Sequence, residues 1–409
     1  MAFTNMRLTR SKTAFFLFLA LFIGSTIRFV YIARLDPGVH WPDEQDFMTL
    51  AENLAHGRGF ALEGEPTAFR APGYPLFLAP WSWLSAWSAT LIRALHVFLN
   101  LLIMILVFIL TRRFFSKIAA LLAVWIIAFY PYYIFLTGTV LSELWFILLL
   151  LGSTFLLCLY RDQPLRSLLF AAGILMGTAV LTRPSAVILA AAAMLWLFTV
   201  VKKQYRKVIP LFVLGMIVIV LPWMARNRIV MGRCSITLNG GRNLWLGNNP
   251  ETTVNSGSDI DLPPELKAKM YSSSEVKADS IYKTQAFSFI REHPMHTAGL
   301  WLQKGLALWR PGPSPTTGGY TKRGTCIRLA SYLSYGPVFM LAVLSWFWAD
   351  RRKRGIIRLW IYYAAGFTVL HAMFITKVRF RLPLDVFLII LAAYAAVRIY
   401  EKYRIGPLE

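Results

Sequence analysis

The chain of 409 residues has only three cysteines and none of the commonest catalytic signatures. The cysteines show no C-x-x-C or other metal-ligand spacing, so they offer no metal site. A P-loop, G-x-S-x-G and H-E-x-x-H are also absent, which argues against the common nucleotide hydrolases, esterases and zinc proteases. Cys158 falls in an apolar run. Cys234 and Cys326 fall in one polar stretch and could form a disulfide in an oxidising compartment, which spacing alone does not decide.

Acidic residues are scarce as well, because 20 Asp and Glu stand against 43 Lys and Arg and give a net charge of +23. Such an excess could suggest nucleic acid. The basic residues, however, form short clusters between apolar runs, with no separate basic domain. We therefore predict no nucleic-acid partner and assign the clusters to membrane orientation and to anionic lipid. No repeat of about 20 to 50 residues is visible, so a solenoid is not supported.

Long apolar runs dominate the sequence, with a hydrophobic content of 57%. Soluble domains contain about 45 to 50% apolar residues. The chain is therefore predicted to be an integral membrane protein, a single domain over residues 1–409. The 14 Trp and 17 Tyr suit both membrane interfaces and core packing.

The first apolar run, Thr13 to Ile32, follows three basic residues and lacks an A-x-A-like cleavage site, which predicts an uncleaved signal anchor. Arg28 near its outer end is predicted to snorkel to the interface, with a lipid-phosphate contact as the alternative. With about 20 residues per span, nine further helices bring the total to about ten. They are predicted near residues 94–110, 118–137, 139–160, 168–182, 185–201, 208–225, 329–349, 356–375 and 384–400.

Clusters of Lys and Arg at residues 112–117, 161–166, 202–207 and 351–354 all fall on one side of these spans. The positive-inside rule makes that side cytoplasmic, with both termini inside and the loops 33–92 and 227–328 outside. Residues 76–92 could form an interfacial or re-entrant helix, and Trp301 to Trp309 could lie flat on the outer surface. The second loop, with an amphipathic helical region near 264–292, is predicted to fold as a small cap.

The first outer loop opens with two adjacent carboxylates, Asp43 and Glu44, just outside the membrane. A helix is predicted from Glu44 to His56, stopped by Gly57 and Gly59. Asp43 could be its N-cap. A helix cap needs only one carboxylate, however, whereas two adjacent carboxylates lie here next to the apolar membrane segment. The second interpretation is therefore that Asp43 acts as a general base toward a hydroxyl group.

Further ionisable groups are predicted on the same outer side and form a mostly positive ring around the acid pair. Fixed cations of this kind stabilise an anionic leaving group, although interface anchoring is the alternative for many of them. His371, and His96 with Asn100, fall within apolar spans, where hydrogen-bonded helix packing is favoured over substrate contact. The ring consists of Arg70, Glu143, Arg183, Arg226, Arg228, Lys304, Lys377, Arg379 and Arg381.

An ordered series of short motifs runs along the chain. The acid pair and G-x-G stop are followed by R-x-P-G-Y-P at 70–75, S-E at 142–143, L-T-R-P at 181–184, P-W-x-x-R-N at 222–227 and an R-x-R-L-P close at 379–383. In this order they resemble the bacterial branch of the dolichyl-phosphate-mannose protein mannosyltransferase family, which includes the aminoarabinose and mannosyl transferases of the GT-C fold. The resemblance covers nearly the whole chain. Phe47 departs from it, because a Tyr is expected shortly after the acid pair.

The resemblance implies a GT-C-type helix bundle in the bacterial inner membrane that transfers a sugar, with inversion, from a polyprenyl-phosphate carrier. The acceptor, a lipid, glycan or protein, would lie on the outer, periplasmic face. Asp43 would be the base on the acceptor hydroxyl, and Glu44 would help to place the acceptor. The residues implied to contact the lipid phosphate or the sugar are Arg70, Tyr74, Glu143, Arg183, Lys304, Arg379 and Arg381.

A divalent metal is left open by the sequence. Asp43, Glu44 and Glu143 could supply oxygen ligands, but Arg and Lys can neutralise a monophosphate without a metal. Two other classes also stay open. A flippase of lipid-linked sugars would share the many spans and the basic ring, although such transporters often show inverted repeats. An inert assembly subunit would leave Asp43 replaceable.

Overall fold

The computed structural model describes residues 9–256, 260, 264, 273–312 and 322–404, which form a bundle of α-helices. Two 3₁₀ turns, Ala79–Trp83 and Lys203–Val208, and an antiparallel hairpin of β1 (Ala61–Leu62) and β2 (Glu65–Pro66) accompany the helices. The predicted all-α class is confirmed. The helices are α1 Arg10–Ile32, α2 Pro42–Ala55, α3 Gly73–Leu78, α4 Ala89–Phe114, α5 Lys117–Phe129, α6 Pro131–Thr137, α7 Glu143–Asp162, α8 Arg166–Thr182, α9 Ala186–Val200, α10 Pro210–Met231, α11 Gly240–Leu246, α12 Glu275–Glu292, α13 Pro294–Leu308, α14 Lys322–Trp348, α15 Arg351–Met373 and α16 Val378–Arg404.

Seven helices in the described part of the chain are long and apolar enough to cross a membrane, namely α1, α4, α7, α10, α14, α15 and α16. Helices α5 and α6 form an eighth candidate that is bent by 58°. The bend lies at Pro131, whose ring and missing N–H interrupt a helix. Helices α8 and α9 are apolar but shorter. Each of the ten predicted segments is therefore largely helical, but fewer than ten have the length of a full span.

The two ends of α7 separate two groups of charged residues. Its 20 residues correspond to about 30 Å of helix. At the end of α7, Asp162 forms an ion pair with Arg352. At its start, Glu143 forms an ion pair with Arg183. Residues predicted for the cytoplasmic side thus meet at one end of the bundle, and residues predicted for the outer side meet at the other.

The prediction that Arg28 snorkels to the interface is wrong. Its side chain is only 1% exposed, and it donates hydrogen bonds to the carbonyl oxygens of Gly24, Ile127 and Ala128 at 2.8 to 2.9 Å. Two of these carbonyls belong to the last turn of α5, where helical partners run out. Arg28 therefore caps α5 from inside the bundle, and its buried guanidinium is not available to a lipid phosphate.

Helices α11, α12 and α13 form a cap between α10 and α14. Leu244, Trp245 and Leu246 of α11 pack against Tyr282 and Ala286 of α12. The cap is fastened to the end of α15, because Asn248 donates to the carbonyl of Met373 and accepts from the indole of Trp301.

Two sequence expectations fall within this cap. The amphipathic helix predicted over 264–292 begins at Glu275, and most of its predicted first turns lie outside the described residues. The segment Trp301 to Trp309 ends α13, which exposes Leu302 and Leu306. Cys234 and Cys326 are both exposed and free.

Candidate active site

A cavity of about 400 Å³ lies where α7 and α16 begin and where α8 and α15 end. The start of α2, the loop before α3 and the start of α11 complete its wall. The structure therefore brings together residues from both predicted outer loops and from the helix ends between them. Five of the predicted site residues line this wall, namely Asp43, Arg70, Glu143, Arg183 and Arg379, whereas Glu44, Tyr74, Lys304 and Arg381 do not.

Asp43 is held at the cavity by an arginine on the same loop. Its Oδ1 accepts from Arg70 Nη2 at 2.7 Å, and Arg70 also donates to Asp46 Oδ2 from Nε and Nη2 at 2.9 and 2.8 Å. Asp46 follows Asp43 by three residues, so both carboxylates lie on one face of α2. About a third of the Asp43 side chain (36%) stays exposed, and its Oδ2 lies 3.6 Å from Arg379 Nη2.

The N-cap interpretation of Asp43 is wrong. Helix α2 begins at Pro42 with Trp41 as its N-cap, so Asp43 is the second helical residue. A carboxylate there still interacts favourably with the positive end of the helix dipole. Its side chain, however, is directed to Arg70 rather than to a free backbone N–H.

Glu143 joins the two remaining arginines. Its Oε1 lies 2.9 Å from Arg183 Nη1 and 3.7 Å from Arg379 Nε, and the side chain is only 3% exposed. Arg379 therefore stands between the carboxylates of Asp43 and Glu143. Both guanidinium groups also contact the ring of Phe380, whose centre lies 5.6 Å from the guanidinium carbon of Arg183 and 5.5 Å from that of Arg379. These cation–π contacts hold the charged planes in place.

Glu44 is turned away from the cavity. Its side chain is fully buried, its Oε2 accepts from the backbone N–H groups of His40 and Trp41, and its Oε1 accepts from that of Val140 at 2.7 Å. A carboxylate with these backbone partners fixes the start of α2 against the segment before α7. The predicted direct role for Glu44 in placing the acceptor does not agree with this geometry.

Tyr74 is also buried and does not reach the cavity. Its hydroxyl is 2.7 Å from His96 Nε2, and burial raises the pKa of Tyr74 well above its usual value. The neighbouring Gly73 packs directly against the end of α8. A side chain does not fit there, because a Cβ at this position would lie only 2.6 Å from Thr182 Oγ1. Glycine thus lets the R-x-P-G-Y-P loop rest on the end of α8, and Arg70 and Arg183 line the same cavity. Phe47 meets the Tyr74 ring edge-on at 5.1 Å.

Lys304 binds backbone carbonyls and not the cavity. Its Nζ donates to the carbonyl oxygens of Gly247 and Phe374 at 2.7 and 2.8 Å, and the side chain is 1% exposed. Burial lowers the pKa of Lys304 to about 8. The predicted contact with the lipid phosphate is replaced by a bond between the ends of α11 and α15.

Arg381 is likewise a buried structural residue. Its Nε donates to Asp385 Oδ1 at 2.9 Å, and its Nη1 donates to the carbonyls of Leu308 and Arg310 at the end of α13. The guanidinium lies 3.5 Å from the centre of the Tyr335 ring. The expected pair of phosphate-binding arginines is thus reduced to Arg379.

The other members of the predicted ring also bind backbone carbonyls. Arg226 donates to the carbonyls of Thr67 and Phe60, Arg228 donates to that of Gly232, and Lys377 donates to that of Asn255. None of the three lines the cavity. Their positive charges are bound to the backbone of the predicted outer loops.

Sequence reasoning missed three residues of this site. Asp46 could have been found from its spacing to Asp43. Arg242 of α11 lines the cavity and has no hydrogen-bond or ion-pair partner among the residues the structure describes, but its G-G-R-N context carries no recognisable signal. His371, expected to serve helix packing, lines the cavity as well. His96 does not and bonds to Tyr74 as a packing residue would.

The carboxylates that the sequence offered to a divalent metal do not converge. Glu44 faces backbone N–H groups, and Asp43 and Glu143 are each paired with arginine. In the part of the chain that the structure describes, no group of three or more His, Cys, Asp or Glu side chains could hold a metal ion. The arrangement fits neutralisation of an anion by guanidinium groups better than by a cation ligated to these residues.

The charges on the wall suit an anionic ligand next to a carboxylate. Arg70, Arg183, Arg242 and Arg379 outnumber the carboxylates of Asp43 and Glu143. Arginine binds phosphate oxygens through two parallel N–H groups. The cavity can therefore hold a phosphate while it keeps a partly exposed carboxylate close by.

Comparison of the fold with solved structures confirms the predicted GT-C type. The chain matches the oligosaccharyltransferase of Archaeoglobus fulgidus tethered with an acceptor peptide, with a TM-score of 0.56 and 15% identity over 98% of this chain and 51% of that chain. The same organism's AglB, in complex with an inhibitory peptide and a dolichol-phosphate, matches with a TM-score of 0.55 and 12% identity over 97% and 52%. The chain spans about half the length of these proteins.

The family comparison agrees with the resemblance seen in the sequence. The model of the dolichyl-phosphate-mannose-protein mannosyltransferase family matches residues 70–225. This stretch includes Arg70, Glu143 and Arg183 but not Asp43 or Arg379. No match was found among curated proteins. Fold and family match together support a membrane glycosyltransferase, and the match confirms the predicted resemblance within those residues.

Proposed function

We propose that the protein transfers a sugar from a polyprenyl-monophosphate carrier to a hydroxyl group of an acceptor, with inversion at the sugar carbon. The observation that carries the proposal is the cavity in which the Asp43 carboxylate stands among the guanidinium groups of Arg70, Arg183 and Arg379. The Archaeoglobus fulgidus relative in complex with a dolichol-phosphate supports a polyprenyl carrier by analogy of fold.

Asp43 acts as the general base in this proposal. Arg70 holds Oδ1, whereas Oδ2 has only Arg379 nearby, at 3.6 Å, beyond hydrogen-bond distance. Oδ2 can therefore take the proton of the acceptor hydroxyl as its oxygen attacks the anomeric carbon. Glycosyl transfer has an oxocarbenium-like transition state, in which the leaving-group bond is largely broken, so a carboxylate is a sufficient base.

The arginines act on the leaving group. Attack on the anomeric carbon breaks its bond to the phosphate oxygen, and the electron pair of that bond remains on polyprenyl phosphate. Arg183 and Arg379 are positioned by Glu143 and Phe380, so they meet the developing charge without reorganisation. Glu44 serves as a positioning residue that fixes the start of α2, and with it Asp43.

The proposed site faces the periplasm of a bacterium, with both termini in the cytoplasm. The clustered basic loops support this orientation. In a background without the exposed Cys234 and Cys326, a cysteine in place of Glu65 should react with a membrane-impermeant maleimide in intact spheroplasts. A cysteine in place of Lys203 should react only after permeabilisation. The reverse pattern would place the cavity in the cytoplasm and remove the proposed reaction from the outer face.

The physiological reaction can be tested by mass analysis of envelope lipids, glycans and proteins from cells with and without the gene. We expect deletion to remove a pentose or hexose increment from one class of envelope molecule. The intact gene should restore the increment, and Asp43→Asn at equal abundance in the membrane should not. Identical mass profiles with and without the gene, in cells shown to express it, would contradict a transferase function.

A further inference from the structure

Two residues that line the cavity each carry a buried hydrogen-bond acceptor without a protein partner. Glu143 Oε2 and His371 Nε2 are inaccessible to solvent and make no hydrogen bond to any residue the structure describes. Other buried side chains also carry unpaired polar atoms, but in the described part of the chain only Glu143 and His371 line the cavity as well. An unpaired buried polar atom is destabilising, so a ligand that supplies the missing hydrogen bonds is favoured.

The contacts of His371 define what Nε2 can bind. Nδ1 lies 3.4 Å from the carbonyl oxygen of Ile375, which can only accept, so the proton of the neutral ring belongs on Nδ1. Nε2 then presents a lone pair. The ring is fixed by stacking on Phe380 at 5.0 Å and by an edge contact with Phe367 at 4.5 Å. Both unpaired atoms are therefore acceptors, and their ligand must bring two N–H or O–H donors.

We propose that Glu143 and His371 form a clamp for the sugar of the donor, a role that rests on the proposed function. Two hydroxyl or amino groups of the sugar donate to Glu143 Oε2 and His371 Nε2. A phosphate does not fit here, because both atoms would face its anionic oxygens.

The position of the clamp agrees with the chemistry of the donor. The other oxygen of Glu143 binds Arg183, and the Phe380 ring that supports His371 also lies under Arg183 and Arg379. In the donor the sugar is bonded directly to the phosphate. The sugar must therefore lie next to the phosphate. The clamp is in that position, because it adjoins the arginines that are proposed to hold the phosphate.

The test compares how tightly purified protein binds two forms of one lipid. The probes are undecaprenyl monophosphate and the same lipid carrying mannose or an amino-pentose. We expect the wild type to bind at least one sugar-loaded lipid about tenfold more tightly than the free phosphate. His371→Phe keeps the aromatic stack and removes the acceptor, so it should remove most of that difference without changing binding of the free phosphate. His371→Gln, which keeps an acceptor oxygen, should retain more of it.

His96→Phe is the matched control, because His96 is also buried in an apolar helix with an unpaired ring nitrogen but does not line the cavity. It should leave the difference between the two lipids intact. If His371→Phe does not accumulate, His371→Leu replaces it, and the affinity difference between the sugar-loaded lipid and the free phosphate is measured in the same way. Equal weakening of both lipids, or no change in either, would overturn the clamp. A wild type that binds the free phosphate but gains nothing from the sugar would overturn the clamp alone, whereas binding of neither lipid would overturn the proposed function with it.

Discussion

Asp43→Asn should lower the rate of sugar transfer about 10²- to 10⁴-fold in protein that is normally inserted and stable. Asparagine has nearly the same shape as aspartate and can still accept a hydrogen bond from Arg70, so the loop should keep its position. It cannot take up the acceptor proton. The rate should be measured with purified variant and the true donor, after the amount of folded protein has been equalised.

Asp46→Asn is the matched control for this change. Asp46 lies one turn further along α2 and binds the same Arg70, but it does not line the cavity. We expect a loss within about tenfold, because the change weakens the support of Arg70 without removing a base. Transfer by Asp43→Asn within about threefold of the wild-type rate would show that Asp43 only positions other residues.

Arg183→Ala and Arg379→Ala should each lower kcat/KM for the polyprenyl-phosphate donor about 10²- to 10³-fold, a loss typical of removing one preorganised donor to a developing charge. The two variants differ in how strongly the substitution should destabilise the folded protein. Arg183 is the closer partner of buried Glu143, at 2.9 Å against 3.7 Å for Arg379, and its removal leaves that carboxylate poorly compensated. Arg379, with 37% of its side chain exposed, is the cleaner test.

Arg226→Ala serves as the control for loss of an arginine outside the cavity. Arg226 binds loop carbonyls and does not line the cavity, so its removal should lower stability more than donor use. Lysine in place of Arg379 should recover part of the activity by restoring the charge without the paired N–H groups. Unaltered donor kinetics in Arg183→Ala and Arg379→Ala would remove both residues from the phosphate site.

Hydropathy was sufficient to predict an all-α membrane protein, because each span must bury apolar side chains and satisfy its own backbone over a fixed thickness. The span count was less predictable. Helices α8 and α9 meet at Arg183 and Pro184 and have only 17 and 15 residues. Sequence alone does not distinguish a short helix enclosed by neighbours from one that crosses the membrane completely.

The main errors at the site have one physical cause. Arg28 was predicted to snorkel to the interface, and Lys304 and Arg381 to contact the lipid phosphate or the sugar. Each instead donates to carbonyl oxygens near a helix end inside the protein. Helix ends within a bundle leave carbonyls that water cannot reach, and a long basic side chain can satisfy two or three of them. A sequence shows that a charge lies near the interface but not the direction in which its side chain extends.

Three of the predicted site residues that line the cavity lie in short local motifs. Asp43, Arg70 and Glu143 come from motifs at helix starts and turns, where the backbone itself fixes the side-chain direction. Arg242 and His371 were missed as cavity residues, because they reach the cavity only through the docking of α11 and the end of α15. Such long-range packing leaves no local pattern in the sequence.

The central claim, that the protein cleaves and transfers rather than moves its lipid, can be tested in liposomes that contain the purified protein and a polyprenyl phosphate bearing a radiolabelled sugar. Addition of an envelope extract as the source of acceptor should release free polyprenyl monophosphate and place the label on the acceptor in equal amounts, and Asp43→Asn should abolish both. Passage of the intact sugar-loaded lipid between the two leaflets, without cleavage of the sugar–phosphate bond and at the same rate in Asp43→Asn, would contradict the transferase and identify a flippase.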